Sequence, residues 1–410
     1  MRKFDIDRYC TFGRRRFLQG LGASMALTVG DTALRKVWAQ PVFRHYPFNL
    51  GVASGEPTAT GVVLWTRIAP EPFVGGGMPN QAVPVQWELA NDEDMEDIVQ
   101  QGETIAPPEL GHAVHVEVEG LEPSRDYFYR FLIGSEDSPV GRTKTLPAPG
   151  AAVQNIRFGV CGCQRYEDGF YTAFQHMADE NLDFIFHYGD YIYEYRHFSP
   201  ADRTGMVRHM PEPYDEIYTL EDYRNRYAAY KADPLLQAAH QSAPFTVSWD
   251  DHEVDNNWAA DIDQDGTPPE LFLLRRAAAY QAYYENMPLR LASWPNPTNM
   301  MLYRRFPVGN LANVHVLDTR QYRSDQPCGD GRESRESCPE SLEAGRTMLG
   351  DEQERWLTDG LGDSEATWNV LAQQVMIMQH DRSGDPEVDE YHMDKWDGAV
   401  DARNRLLGFI

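Results

Sequence analysis

Asp190 and Tyr193 stand three positions apart in the block Gly189-Asp190-Tyr191-Ile192-Tyr193, directly after the apolar stretch Asp183 to Tyr188. A carboxylate and a phenol at the carboxyl end of a predicted strand lie where open α/β sheets assemble their active sites. Cys163 and Asp251 fall at or just past the ends of two further predicted strands, so a parallel sheet would carry all of them to one edge. Taken singly, each has a plainer reading: Asp190 caps a loop or helix and Cys163 packs as a small hydrophobe. Their joint occurrence, with Tyr193 and His252 alongside, makes a polynuclear metal site the first hypothesis.

These side chains need a scaffold. Beyond Ala151 the pattern alternates: Ile156 to Val160 is short and apolar, Gly169 to Asp179 carries Phe170, Ala173, Phe174 and Met177 at helical spacing, and Asp183 to Tyr188 is the next strand. Together they predict a βαβ unit. A helical stretch from Leu220 to Ala239 leads to a strand at Phe245 to Trp249 and on to Asp250-Asp251-His252-Glu253, with further strands expected at Asn313 to Leu317 and from Asn369 onward. Between Tyr46 and Pro147, short alternating segments such as Val114 to Val118 and Tyr127 to Phe131 are separated by turn residues. That rhythm predicts an all-β sandwich of the immunoglobulin or fibronectin kind. The expected order is an export signal at 1–39, a sandwich at 40–147, a short linker and an α/β domain at 152–410.

The net charge of −26 argues against a nucleic-acid partner or an anionic membrane surface, which call for clustered Lys and Arg, and suits cation binding. Arg14, Arg15 and Arg16 precede a short, weakly apolar run from Leu21 to Val29, and Val37-Trp38-Ala39 offers small residues for cleavage. The segment looks like a twin-arginine signal, implying the twin-arginine export machinery as a partner and a periplasmic or extracellular destination. Asp31, Arg35 and Lys36 interrupt the run, so no membrane span is expected. In an oxidising compartment Cys328 and Cys338, flanking a polar segment, are the natural disulfide pair. Cys161 and Cys163 are too close in sequence for good disulfide geometry, which leaves at least one as a thiolate with another job.

Four blocks carry a resemblance: Phe158 to Gln164 with Cys161-Gly162-Cys163, Gly189 to Glu194, Trp249 to Trp258 with Asp250-Asp251-His252-Glu253, and Leu317 to Arg323 with Asp318-Thr319-Arg320. They resemble the signature blocks of the PhoD-like alkaline phosphatases, and Leu50 to Pro57 with Val62 to Arg67 resembles that family's amino-terminal module. The resemblance implies a metallophosphatase domain of layered α-β-β-α architecture behind the sandwich. It further implies Fe(III) held by Cys163 and Tyr193, Asp190 bridging it to Ca(II), and Asp251 on the calcium side. Thiolate and phenolate are strong donors to Fe(III), whereas calcium prefers oxygen. A hydroxide or oxide between the metals would attack phosphorus, with His252 as acid for the leaving oxygen or as hydrogen-bond donor to phosphate.

Other residues keep two readings. Asn256 and Asn257 either add oxygen ligands or cap a loop; Asp318, Arg320 and Arg323 either shape the mouth and hold phosphate or form a structural salt bridge. Cys161 reads as packing. Asp261 to Gly266 opens like an EF-hand loop, but Phe272 stands where a bidentate Glu is required and Pro268-Pro269 follow, so it reads as a surface loop. Tyr280, Tyr283 and Tyr284 read as a buried helix face.

Family members continue beyond the equivalent of Ile410 into an apolar strand and a Gly-Asp-x-His block that supplies further ligands, whereas Asp397 to Ile410 reads as an amphipathic helix. An incomplete metallophosphatase domain is therefore expected. The overall expectation is an exported, monomeric, metal-dependent hydrolase of small phosphate esters, with phospholipid or nucleotide diesters among its possible substrates and no stable nucleic-acid binding. The alternatives are a non-catalytic relative that lost its metal site and a phospholipase D-like diesterase.

Overall fold

A computed structural model describes residues 42–197, 208–296, 299–329, 335–336 and 338–410; the twin-arginine segment lies outside them. In chain order the strands are β1 Val52–Gly55, β2 Gly61–Arg67, β3 Val83–Ala90, β4 Ile98–Ala106, β5 Ala113–Glu119, β6 Asp126–Ile133, β7 Glu136–Asp137 and β8 Gly141–Lys144. Strand β9 Phe158–Cys161, helix α1 Thr172–Asp179, strand β10 Phe184–His187, helices α2 Leu220–Lys231 and α3 Pro234–Ser242, and strand β11 Phe245–Val247 follow. The remainder is α4 Pro269–Asn286, β12 Arg304–Val308, β13 Ala312–Val316, β14 Arg335–Glu336, α5 Gly350–Gly362, β15 Trp368–Ala372, β16 Glu390–Tyr391 and α6 Val400–Phe409.

The front strands form two layers. One sheet runs β4-β3-β6-β7, with β8 also on β6; the other contains β5, β2 and β1. Period-two alternation in β6 sends Tyr127, Tyr129, Phe131 and Ile133 inward, where they meet Val62, Leu64 and Val116 of the facing layer. This second layer does not end with the front strands. Gly55 of β1 pairs in parallel with Phe245 of β11, so one sheet runs β5-β2-β1-β11-β10-β9 through both halves of the chain. A Cβ on Gly55 would lie 2.5 Å from the Phe245 carbonyl oxygen, which is why a glycine occupies the junction.

The parallel βαβ unit forms as its spacing predicts, with Ile185 of β10 opposite both Gly159 of β9 and Phe245 of β11. Strand β10 is buried along its whole length because helices or a second sheet cover each face. The expected helix from Leu220 to Ala239 is two helices, since Asp233 accepts the amides of Leu235 and Leu236 and Pro234 can only start a helix. Tyr280 and Tyr283 of α4 are buried, and Tyr280 stacks on Trp249 at 4.4 Å. A smaller sheet runs β12-β13-β15. The carboxyl-terminal helix α6 buries Ala402 and Leu406 against Trp396 and Leu357. Among the described residues no helix is long and apolar enough to cross a membrane.

Candidate metal centre

Three strand ends build the site. The turn after β10 places Gly189 at φ +119° and Asp190 at φ +54°. A Cβ on Gly189 would sit 2.2 Å from the Asp250 nitrogen, so only glycine lets the loop after β10 pass the loop after β11. The loop after β9 closes on the same turn: the Cys163 amide donates to the Gly189 carbonyl at 3.0 Å and the Gln164 amide to that of Asp190 at 3.1 Å. Cys163 itself holds φ +53°. Left-handed backbone at non-glycine residues costs free energy and is concentrated at functional sites.

The side chains converge on one carboxylate. Asp190 Oδ2 accepts from Cys163 Sγ at 3.2 Å and from the Tyr193 hydroxyl at 3.1 Å, and Oδ1 faces the His252 amide at 3.4 Å. Asp190, Asp251 and His252 each offer a ligand atom within 4.8 Å of the others, all three buried. The sequence-derived set of Cys163, Asp190, Tyr193, Asp251 and His252 is thus brought together. Burial and then the Asp251 charge push the Asp190 carboxyl far up. Burial also raises the Cys163 thiol and Tyr193 phenol, with the Asp190 charge adding to each. Burial opposes the Asp251 anion too, yet Arg320 and His252 hold that carboxyl well below the usual range. Sulfur, phenol and carboxylate donors whose anionic forms burial and mutual repulsion disfavour are what a bound cation would relieve, and this donor set suits metal ions.

Three acidic residues that the sequence reading assigned no role hold this set in place. Glu253 is fully buried and accepts the amides of Asp190 at 3.1 Å, Tyr191 at 2.6 Å and Asp250 at 2.9 Å, tying two strand-end loops together. Burial pushes its carboxyl up to about 7, against the pull of those amides. Glu194 accepts from His252 Nδ1 at 2.7 Å and from the Asn256 amide at 2.8 Å. Burial works against the His252 cation, but Glu194, Asp251 and Asp190 outweigh it and raise the imidazole well above its ordinary value. Asp394, near the carboxyl end, takes both Arg320 terminal nitrogens at 2.8 and 2.7 Å while Arg320 Nε donates to Asp250 at 2.6 Å.

The open alternatives take definite positions. Arg320 is 1% exposed and 3.7 Å from Asp251, so it is a buried ion-pair hub and does not line a mouth. Arg323 pairs with Asp394, as the salt-bridge alternative has it, whereas Asp318 accepts the Arg320 and Gln321 amides and holds the loop through its backbone. The Asn257 amide orients Asp251 Oδ2 at 2.8 Å, and the Asn256 side chain donates to Gln264. Cys161 packs against the aromatic core. In the EF-like segment Asp263 accepts the Thr267 amide, closing a turn. Cys328 and Cys338 form the expected disulfide, with sulfurs at the ends of a span of 10 positions.

Residues 158–410 match the PhoD-like phosphatase family, and residues 33–147 match the family's N-terminal domain. The alkaline phosphatase D of Bacillus subtilis (strain 168) is 53% identical over 405 residues, an alignment spanning 98% of this chain and 69% of that protein. A solved structure of PhoD superposes with a TM-score of 0.86 at 55% identity, covering 90% of this chain and 70% of that one.

Proposed function

The chain belongs to the PhoD-like phosphatase family, and from that premise we propose that it is an exported, metal-dependent phosphoric ester hydrolase of the alkaline phosphatase D type. One observation carries the reading: a thiol and a phenol from separate loops meet on a single oxygen of Asp190, beside Asp251 and His252. Cys163 and Tyr193 would hold Fe(III), Asp190 would serve both ions and Asp251 would hold Ca(II). Bound cations neutralise the charge that develops on phosphate oxygens and supply Lewis acidity.

The protein's own groups do the rest. Glu194 occupies His252 Nδ1, which leaves Nε2 as the nitrogen to protonate the leaving oxygen as its bond to phosphorus breaks. Water contributes the new oxygen on phosphorus, and its protons return to the imidazole or to solvent. The Tyr193 ring lies 4.1 Å from that of His252 and fixes its plane. Glu253 and Asn257 keep the carboxylates aimed through backbone amides, so that no rearrangement accompanies charge development.

Export rests on Arg14-Arg15-Arg16, and the Cys328–Cys338 disulfide supports an oxidising compartment, periplasmic or extracellular. The finer layered description of the fold, the monomeric state and the choice between monoesters and diesters, including phospholipid and nucleotide diesters, belong to the same proposal. Hydrolysis of p-nitrophenyl phosphate and of its bis-ester, with calcium supplied, tests it. Turnover of either supports a hydrolase and their ratio assigns the substrate class, whereas a folded chain that cleaves neither contradicts it.

A further inference from the structure

A cavity of about 460 Å³ opens beside Cys163. It is large enough for a small organic ligand. Cys163 and Tyr188 are among its lining residues, and Cys163 is the residue whose sulfur meets Asp190, so the cavity adjoins the candidate centre. The lining also carries apolar side chains, Val160 of edge strand β9 and Phe170, Phe174 and Met177 at or within helix α1. Phe170 is 61% exposed and Val160 51%, a high proportion for large apolar side chains that share a concave lining next to a reactive site. The Arg208 guanidinium lies 5.6 Å from the Phe170 ring, and Arg165 stands over the Tyr193 ring at 5.2 Å. The lining thus sets the thiol of the candidate centre beside exposed hydrocarbon, with Arg165 and Asp168 also in the wall.

We propose that this cavity receives the organic group of the substrate, and that its apolar wall selects esters whose leaving group is aromatic. The inference rests on the hydrolase reading and adds to it the substrate side chain. With phosphate at the Cys163 and Asp190 end, an aryl ring on the ester oxygen extends toward Phe170, where a ring face and an aliphatic wall are available to it and a hydrated polyol would lose its water shell for nothing.

The test compares kcat/KM for p-nitrophenyl phosphate and glycerol 1-phosphate in the full chain and in Phe170→Ala. Truncating the ring is expected to lower the aryl-to-glycerol ratio by about tenfold, the size of one lost aromatic contact, with the change in KM rather than kcat. An unchanged ratio overturns the pocket and leaves the hydrolase reading standing. Should the parent chain cleave neither ester, that reading fails by itself, and equilibrium dialysis of p-nitrophenol decides the pocket. Weaker retention by Phe170→Ala supports it, and equal or absent retention overturns it. Val160→Ser, in the same lining, reports the same quantities if Phe170→Ala does not fold.

Discussion

The buried Glu253 carboxylate accepts the backbone amide of Asp190 at 3.1 Å, and the same oxygen accepts the amide of Asp250 at 2.9 Å. A residue with no place among the proposed ligands thus spaces two of the loops that carry them. Glu253→Gln keeps the shape but turns one acceptor into a donor that faces backbone N–H groups. The expected loss is about 1–3 kcal/mol of stability, together with weaker metal retention. Urea denaturation and metal analysis of the purified variant check both, and an unchanged midpoint would show the clamp to be dispensable.

Asp394 neutralises a guanidinium that is otherwise shared between Asp250 and Asp251. In Asp394→Asn the buried Arg320 charge loses its bidentate partner, which should cost roughly 3–5 kcal/mol. Arg320 would then lean on Asp251, and metal affinity is expected to fall about 10–100-fold. Calcium titration of the variant measures this.

Lys231 is buried with its ammonium 4.2 Å from the Trp65 ring, where front strands meet helix α2. Burial and then the Arg67 charge lower its pKa from 10.5 to about 7. Between those values the unfolded chain keeps the proton and the folded chain has released it, so stability should rise as pH increases from 7 toward 10.5. Replacing the amine by a thioether in Lys231→Met removes that slope. The difference between parent and variant unfolding free energies at pH 7, 8 and 9 is the readout, and parallel curves would mean the lysine does not titrate there.

The Cys328–Cys338 bridge closes a loop across 10 positions. Opening it with Cys328→Ser and Cys338→Ser together should cost about 2–3 kcal/mol, mostly through the unfolded chain. Hydrolysis should persist, because neither sulfur belongs to the centre. Thermal unfolding with a parallel ester assay separates the effects.

Much of this arrangement was legible beforehand for a simple reason. Apolar runs ending in Asp190, Cys163 and Asp251 mark strand ends, and parallel strands align their carboxyl ends whatever their separation in sequence. Glu253 and Glu194 were not legible as supports because their partners include backbone amides about 60 positions away, and every residue but proline carries the same amide. The Arg320 and Asp394 pair spans 74 positions, with nothing local to mark either end. The shared sheet was equally hidden, since the only trace of the Gly55 and Phe245 pairing is a glycine whose need is visible once the strands are side by side. Strand Phe245–Val247 ends sooner than its apolar run suggests: the Ser248 amide makes the last ladder bond, to the His187 carbonyl, and Trp249 then enters the α4 core.

The most direct test of the central claim is iron and calcium content measured alongside p-nitrophenyl ester hydrolysis, in the parent chain and in Asp190→Ala. The account predicts both metals and a visible tyrosinate-to-iron band in the parent chain, with metals, band and activity lost together when the Asp190 carboxylate is removed. Full activity in Asp190→Ala, or an active parent chain that carries neither metal, would contradict it.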